Sequence, residues 1–282
     1  MKHKPKKKSS RSNWLLIGIF VVGLSLLLYP TVANWWNSFH STRAIEAYDA
    51  AVAEMSQKEF AALRAEADAW NAELARDRGI HVLTDSARTR YDALLNVSGS
   101  GVMGYIEIPK LRVKLPIYHG VDEKVLQIAV GHLEMSSLPV GGESTHCVLS
   151  GHRGLPSARL FTDLDQMQEG DRFLLHTLNE TLTYEVDQIR TVLPTELEDL
   201  QIEPGEDLCT LVTCTPYGVN THRLLVRGHR VENDDETYVV SEANRFDPVE
   251  VMPFVAAPLL LALLVWLLWS TRKKKSRGGD AK

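Results

Sequence analysis

Hydrophobic and polar positions along this chain follow three rhythms. Two runs, Trp14 to Val32 and Pro253 to Trp269, carry no charge. Each is close to the ~20 residues that cross a bilayer as a helix. Between them, Phe39 to Arg76 repeats at helical spacing. Ala44, Ile45, Tyr48, Val52 and Met55 make one apolar stripe, and Phe60, Leu63, Ala67, Trp70 and Leu74 make another. Ser56-Gln57-Lys58-Glu59 lies between the stripes and has the form of a capping box, which predicts a break and two helices. Gly79 to Ser100 is polar and irregular. From Gly101 the rhythm shortens to runs rich in Val, Ile, Leu, Thr and Tyr, punctuated by Gly and Pro. Strands are predicted at Gly104 to Ile108, Val113 to Tyr118, Cys147 to Ser150, Arg172 to Thr177, Thr181 to Val192, Thr210 to Cys214 and Arg223 to Val231, with a short helix at Leu160 to Met167. Many short strands at this spacing suggest a closed barrel, antiparallel or mixed.

The predicted organisation is therefore mainly β, with N-terminal helices and two flanking transmembrane helices. A basic tail (1–13) leads into a transmembrane anchor (14–32). N-terminal helices (33–78), a lid or linker (79–100) and a catalytic barrel (101–232) follow. A linker (233–251), a second transmembrane helix (252–270) and a basic tail (271–282) complete the chain. For the first apolar run the alternative is a cleaved signal peptide, since Thr31-Val32-Ala33 is a passable small-residue cleavage site. Its length favours a retained anchor.

Charge sharpens this division. The whole chain holds 31 basic and 36 acidic residues. Six basic residues fall in the first 13, and six basic with one acidic fall in the last 11. The rest carries 19 basic against 35 acidic, a net of −16. Basic flanks outside both apolar runs put both termini in the cytoplasm and the middle of the chain outside, at the cell membrane. An acidic middle argues against nucleic acid as a partner. Three cysteines are too few for a disulfide scaffold.

One of those cysteines ends a predicted strand, Thr210-Leu211-Val212-Thr213-Cys214-Thr215-Pro216, and Arg223 follows nine residues later. Upstream, Ser150-Gly151-His152-Arg153-Gly154 places a histidine where another apolar run exits into a loop. A thiol, an imidazole and a guanidinium at strand ends are the parts of an acyl-transfer site: nucleophile, general acid/base and oxyanion holder. Arg227 and Arg230 share the strand of Arg223 and are rivals for its role. Arg153 is a further rival, or a surface loop charge. His119, His132, His146, His176, His222 and His229 read as structural. A metal site built from Cys147, Cys209, Cys214, His146 and His152 is disfavoured, because no CxxC or HExxH spacing occurs.

The segments TLVTCTPYGVNTHRLLVRG, SGHRGLPSARLFTDL and GYIEIPKLRVKLPIYHG resemble a sortase, most closely the class C, pilus-assembling type, over about Asn96 to Val231. The resemblance implies an eight-stranded barrel and a cysteine transpeptidase with Cys214 as nucleophile, His152 as general acid and then base, and Arg223 as oxyanion stabiliser. Its implied substrates are secreted pilin or surface proteins carrying LPXTG-like signals, cleaved between Thr and Gly, with a pilin lysine as acceptor. A cell-wall peptide amine as acceptor and simple hydrolysis are the alternatives. No cofactor is implied. Thr213, Thr215, Pro216 and Tyr217 are implied to shape the substrate groove. Class C members carry a lid with an Asp-Pro-aromatic anchor. The nearest match here, Asp85-Ser86-Ala87, keeps only the aspartate, which could pair with Arg223.

The remaining cysteines support an inference from spacing. Cys147 lies five residues before His152, and Cys209 lies five before Cys214. If the two strands are parallel neighbours, registered so that His152 meets Cys214, then Cys147 meets Cys209. Adjacent strands lie ~4.8 Å apart, within the ~4.4–6.8 Å Cα range of disulfides. A buried thiol pair beneath the site is expected, open to oxidation.

Overall fold

The computed structural model describes residues 9–77, 84–233 and 256–266. The chain divides into two compact units, one formed by residues 1–33 and 242–282 and the other by residues 34–241.

Helix α1 (Ser9–Ala53) runs without interruption from the first apolar run into the first helical stripe. Its segment Ile17–Ala53 has a mean hydropathy of 1.8 and is, among the described residues, the one helix long and apolar enough to cross a membrane. Trp14, Leu26 and Trp35 are exposed along it. Of the second apolar run, an eleven-residue helix (Ala256–Trp266) is described, which is too short for that test. Pro253 and residues 267–269 lie outside the described residues, so a second span remains a reading of the sequence.

The break predicted at Ser56 is present. Glu59 N–H donates to Ser56 Oγ at 3.3 Å, and Ser56 N–H donates to the Glu59 carboxylate at 2.8 Å. This reciprocal cap starts α2 (Gln57–Asp77). Ala67 and Trp70 of its stripe enter the main core, with Phe60, Leu63 and Leu74 packed against it. From α1, Ile45 and Tyr48 are buried. Tyr48 Oη donates to Met103 O at 3.0 Å and accepts from Leu178 N–H at 2.7 Å, tying the helix to the barrel.

Residues 84–100 depart from the expected irregular connector. They contain α3 (Asp85–Ala93), capped by the Thr84 side chain, which accepts from Ala87 N–H. Tyr91, Leu94 and Leu95 are buried in the core. Tyr91 is the one buried residue within this short, polar helix, and Leu94 and Leu95 follow its end, which leaves little periodicity to read. The predicted helix over Leu160 to Met167 is reduced to a 3-10 turn at Leu164–Gln166.

Eight strands form a closed barrel: β1 (Val102–Ile108), β2 (Val113–His119), β3 (Val130–His132), β4 (Thr145–Ser150), β5 (Arg172–Thr177), β6 (Glu180–Val192), β7 (Asp207–Thr215) and β8 (His222–Val231). Their order around the wall is β1-β2-β3-β4-β7-β8-β6-β5, closed by β5 on β1. The pairs β2–β3 and β4–β7 are parallel, and the others are antiparallel. The sequence missed β3, whose three residues are too few to show alternation. Ile106, Ile117, Leu149, Phe173, Leu211 and Val226 fill the interior. One further helical turn, α4 (Glu123–Leu126), stands between β2 and β3.

Candidate active site

The place of Cys214 follows from where β7 must stop. Pro216 has no N–H to continue the ladder, so Cys214 is the last residue but one of the strand and remains partly accessible. The chain turns through Pro216 to Thr221, with Val219 and Asn220 N–H groups donating to Pro216 O. It returns as β8, whose register sets Arg223 directly across the antiparallel ladder from Cys214. The rival Arg227 lies four residues deeper, opposite Thr210. It is held there by Asp187 at 2.9 Å and Glu203 at 2.8 Å. Arg230 lies over the Tyr184 ring. Among the described residues, no carboxylate pairs with Arg223. Its Nη1 donates to the carbonyl oxygens of His222 and Asn220, and a guanidinium fork so held keeps donors for an oxyanion.

His152 arrives from the other side. Strands β4 and β7 run parallel, with Cys147 opposite Cys209 and Ser150 opposite Val212. Gly151 N–H donates to Val212 O at 3.0 Å and extends the ladder. Continued by one more residue, this register brings His152 alongside Cys214. Gly151 has no space for a side chain, because an added Cβ would lie 2.6 Å from the Phe161 ring. The imidazole is a quarter exposed, and its Nε2 makes no hydrogen bond. The Glu123 carboxylate of α4 stands 3.5 Å from that nitrogen. This carboxylate had no signal in the sequence, since only the fold brings α4 to the end of β4.

The flanking residues divide by role. Thr213 is buried, and its hydroxyl donates to Gly151 O at 2.7 Å, so it holds the histidine loop. Thr215 accepts from Arg153 Nη1 at 3.3 Å. Pro216 and Tyr217 are exposed beside the thiol. Arg153 is not the surface charge that its loop position suggested, for its side chain is only 9% exposed and pairs with Asp165.

A thiol, an imidazole and a guanidinium brought to one end of a closed barrel are an acyl-transfer constellation, and relatives carry the same architecture. The Sortase domain family profile matches residues 106–231. Sortase C1 from Streptococcus agalactiae is 55% identical, with 68% of this chain covering all of that one at a TM-score of 0.67. The chain belongs to the sortase family. Membership makes it an enzyme of the cysteine transpeptidase class. Sortase C from Streptococcus pneumoniae is 44% identical, covering 68% of this chain and 97% of that one at a TM-score of 0.62. Among curated relatives, sortase A of Streptococcus agalactiae is 31% identical over 128 residues, which are 44% of this chain and 51% of that protein. That match thus spans about half of the relative's length.

The expected contact between Asp85 and Arg223 is absent from this sortase. Asp85 sits in the first turn of α3, its backbone carbonyl accepting from Thr89, and among the described residues Arg223 bonds the two carbonyls named above. The α3 helix is tied elsewhere. Tyr91 Oη is 2.9 Å from His132 Nδ1 and accepts from Gly120 N–H at 3.1 Å. Arg88 pairs with Glu134 at 2.7 Å. Residues 79–83 of the lid segment lie outside the described residues.

Beneath the site, Cys147 and Cys209 are cross-strand partners, as the five-residue offsets required. Both are buried free thiols, not a disulfide. Burial raises each thiol. Hydrogen bonds from Cys209 and His132 pull Cys147 back below its ordinary value, while Cys209 is held well above it. Among the described residues, no group of three or more His, Cys, Asp or Glu side chains is arranged to hold a metal ion.

Proposed function

We propose that this sortase is a membrane-anchored transpeptidase that joins secreted subunits into a pilus-type polymer. Cys214 attacks the Thr–Gly carbonyl of an LPXTG-like signal. Arg223 holds the resulting oxyanion. His152 passes a proton to the departing glycine amine as the C–N bond breaks, leaving a thioacyl enzyme. A lysine ε-amine of the next subunit then attacks the thioester, forms an isopeptide bond and returns the thiol. No cofactor is needed, because the thioester conserves the energy of the cleaved peptide. Pro216 and Tyr217, exposed beside the thiol, are the flanking residues placed to meet the substrate.

The observation that carries this reading is the pairing of Cys214 with Arg223 across the β7–β8 ladder. The pilus role is supported by similarity to sortase C structures, of which the Streptococcus pneumoniae one is described in terms of pilin substrate specificity. The apolar helix Ile17–Ala53 supports an anchor. The basic tails support termini in the cytoplasm and a catalytic domain outside.

The test is the intact mass of the full chain in detergent after incubation with an LPETG-type peptide, beside Cys214→Ala. A thioacyl adduct on the wild type alone is expected, followed by an isopeptide product when a lysine-bearing pilin peptide is added. Transfer to a cell-wall peptide amine but not to lysine would reassign the enzyme to surface-protein attachment. Acid product in the presence of either amine would make it a hydrolase.

A further inference from the structure

Arg153 is an unusual arginine for a loop. Its guanidinium is nearly buried, yet Nε has no hydrogen-bond partner. Enclosing a charged group with an unmade bond costs stability, so such an arrangement needs a compensating geometry. The geometry is a bracket around the catalytic pair. On one side, Gly151 is bound to the residue before Cys214, through Thr213 Oγ1 donating to Gly151 O at 2.7 Å. On the other, Arg153 Nη1 donates to Thr215 Oγ1, the residue after Cys214, at 3.3 Å. His152 lies between the two ties on its loop, and Cys214 lies between them on β7. Arg153 Nη2 is meanwhile held by the Asp165 carboxylate, and the guanidinium carbon lies 5.9 Å from the centre of the Tyr217 ring. Gly154 (φ +77°) makes this closure possible, because any Cβ there would meet the Tyr217 ring at 2.9 Å. The loop is thus pressed against the turn that follows the nucleophile.

We propose that Arg153 is a positioning residue that latches the histidine loop to the end of the nucleophile strand, through Thr215, and so fixes the distance over which His152 serves the leaving amine. It is distinguished from Arg223 by place, since the β7–β8 register sets Arg223 across from Cys214, while Arg153 is tied to Thr215 and Asp165. Lysine cannot replace it, because a single ammonium cannot reach both partners as a planar fork does. The inference rests on the transpeptidase reading given above.

The test compares the full chain in detergent with Arg153→Lys, Thr215→Val and the double variant. It measures rate and KM for thioacyl formation with an LPETG-type peptide, together with the thermal midpoint of each protein. Misplacing a catalytic group by a fraction of an ångström is expected to lower the maximal rate about 10-fold in each single variant, with KM and the midpoint little changed. Because both substitutions break one latch, the double variant is expected to lose about the same 10-fold rather than the product of the two losses. Additive losses in the double variant, a single variant at the wild-type rate, or rate losses that track falling midpoints would each overturn the latch. A wild-type protein that forms no adduct overturns the transpeptidase reading and this inference with it.

Discussion

Arg223 stands opposite Cys214 in the β7–β8 register, whereas Arg227 lies four residues deeper and is paired with two carboxylates. Arg223→Lys retains the charge but loses the fork. With the LPETG-type peptide, turnover is expected to fall about 10²-fold with KM little changed, as when an oxyanion donor is removed elsewhere. A lysine variant that turned over like wild type would take Arg223 out of the oxyanion site. Tyr48 shows the same dependence on geometry far from the chemistry. Its hydroxyl accepts from Leu178 N–H and donates to Met103 O, both buried. Tyr48→Phe removes one atom and leaves two backbone groups unpaired. A loss of about 1–3 kcal/mol in denaturant unfolding is expected, with activity unchanged at temperatures where the variant is folded.

At the scale of elements, α2 is held chiefly by one face. Ala67 and Trp70 are buried in the core that the barrel closes around, and Asn71 exchanges two hydrogen bonds with Leu138, at 2.7 and 3.2 Å. The helical stripe read from Phe60 to Leu74 is this face, so the pattern and the packing agree. Trp70→Ala is expected to destabilise by about 3–5 kcal/mol, the usual cost of deleting a buried indole. Equilibrium unfolding monitored at a barrel tryptophan-free signal, such as far-ultraviolet dichroism, measures it. A cost below 1 kcal/mol would mean that α2 does not share the barrel's core. The case of α3 is different. Its nine residues hold one buried aromatic, Tyr91, and the helix is positioned by that side chain's bonds to His132 and Gly120. Local periodicity cannot report an element whose placement rests on contacts 29 and 41 residues away.

For the whole molecule, shielded imidazoles make acid a destabilising condition. Burial holds His146, His119 and His176 below the ordinary histidine value. His146 faces Arg227, which adds to the shift, and Asp187 and Glu203, which oppose it together with the Gln201 carbonyl. In the unfolded chain these rings take up protons near pH 6.5. Below that value the unfolded state therefore holds more protons than the native state, and stability falls as pH drops. The contribution is fully present above pH 6.5 and lost on the way down to the lowered native values. The thermal midpoint is expected to be lower at pH 5.5 than at pH 7.5, and the difference is expected to shrink in His146→Gln. Equal differences in the two proteins would remove His146 from the explanation.

The sequence by itself determined the barrel class, the capped break between α1 and α2, and even the pairing of Cys147 with Cys209. Each of these is written in local spacing: alternation, helical stripes, a four-residue cap, or equal offsets on two strands. Tertiary structure alone decided that Arg153 is enclosed while its loop suggested exposure, that Glu123 stands beside His152, and that Asp85 leaves Arg223 alone. The physical reason is one of range. Periodicity records which side of an element is buried, whereas the partner of a charged side chain depends on strand register and chain crossings between residues far apart in sequence, and no local pattern carries that information.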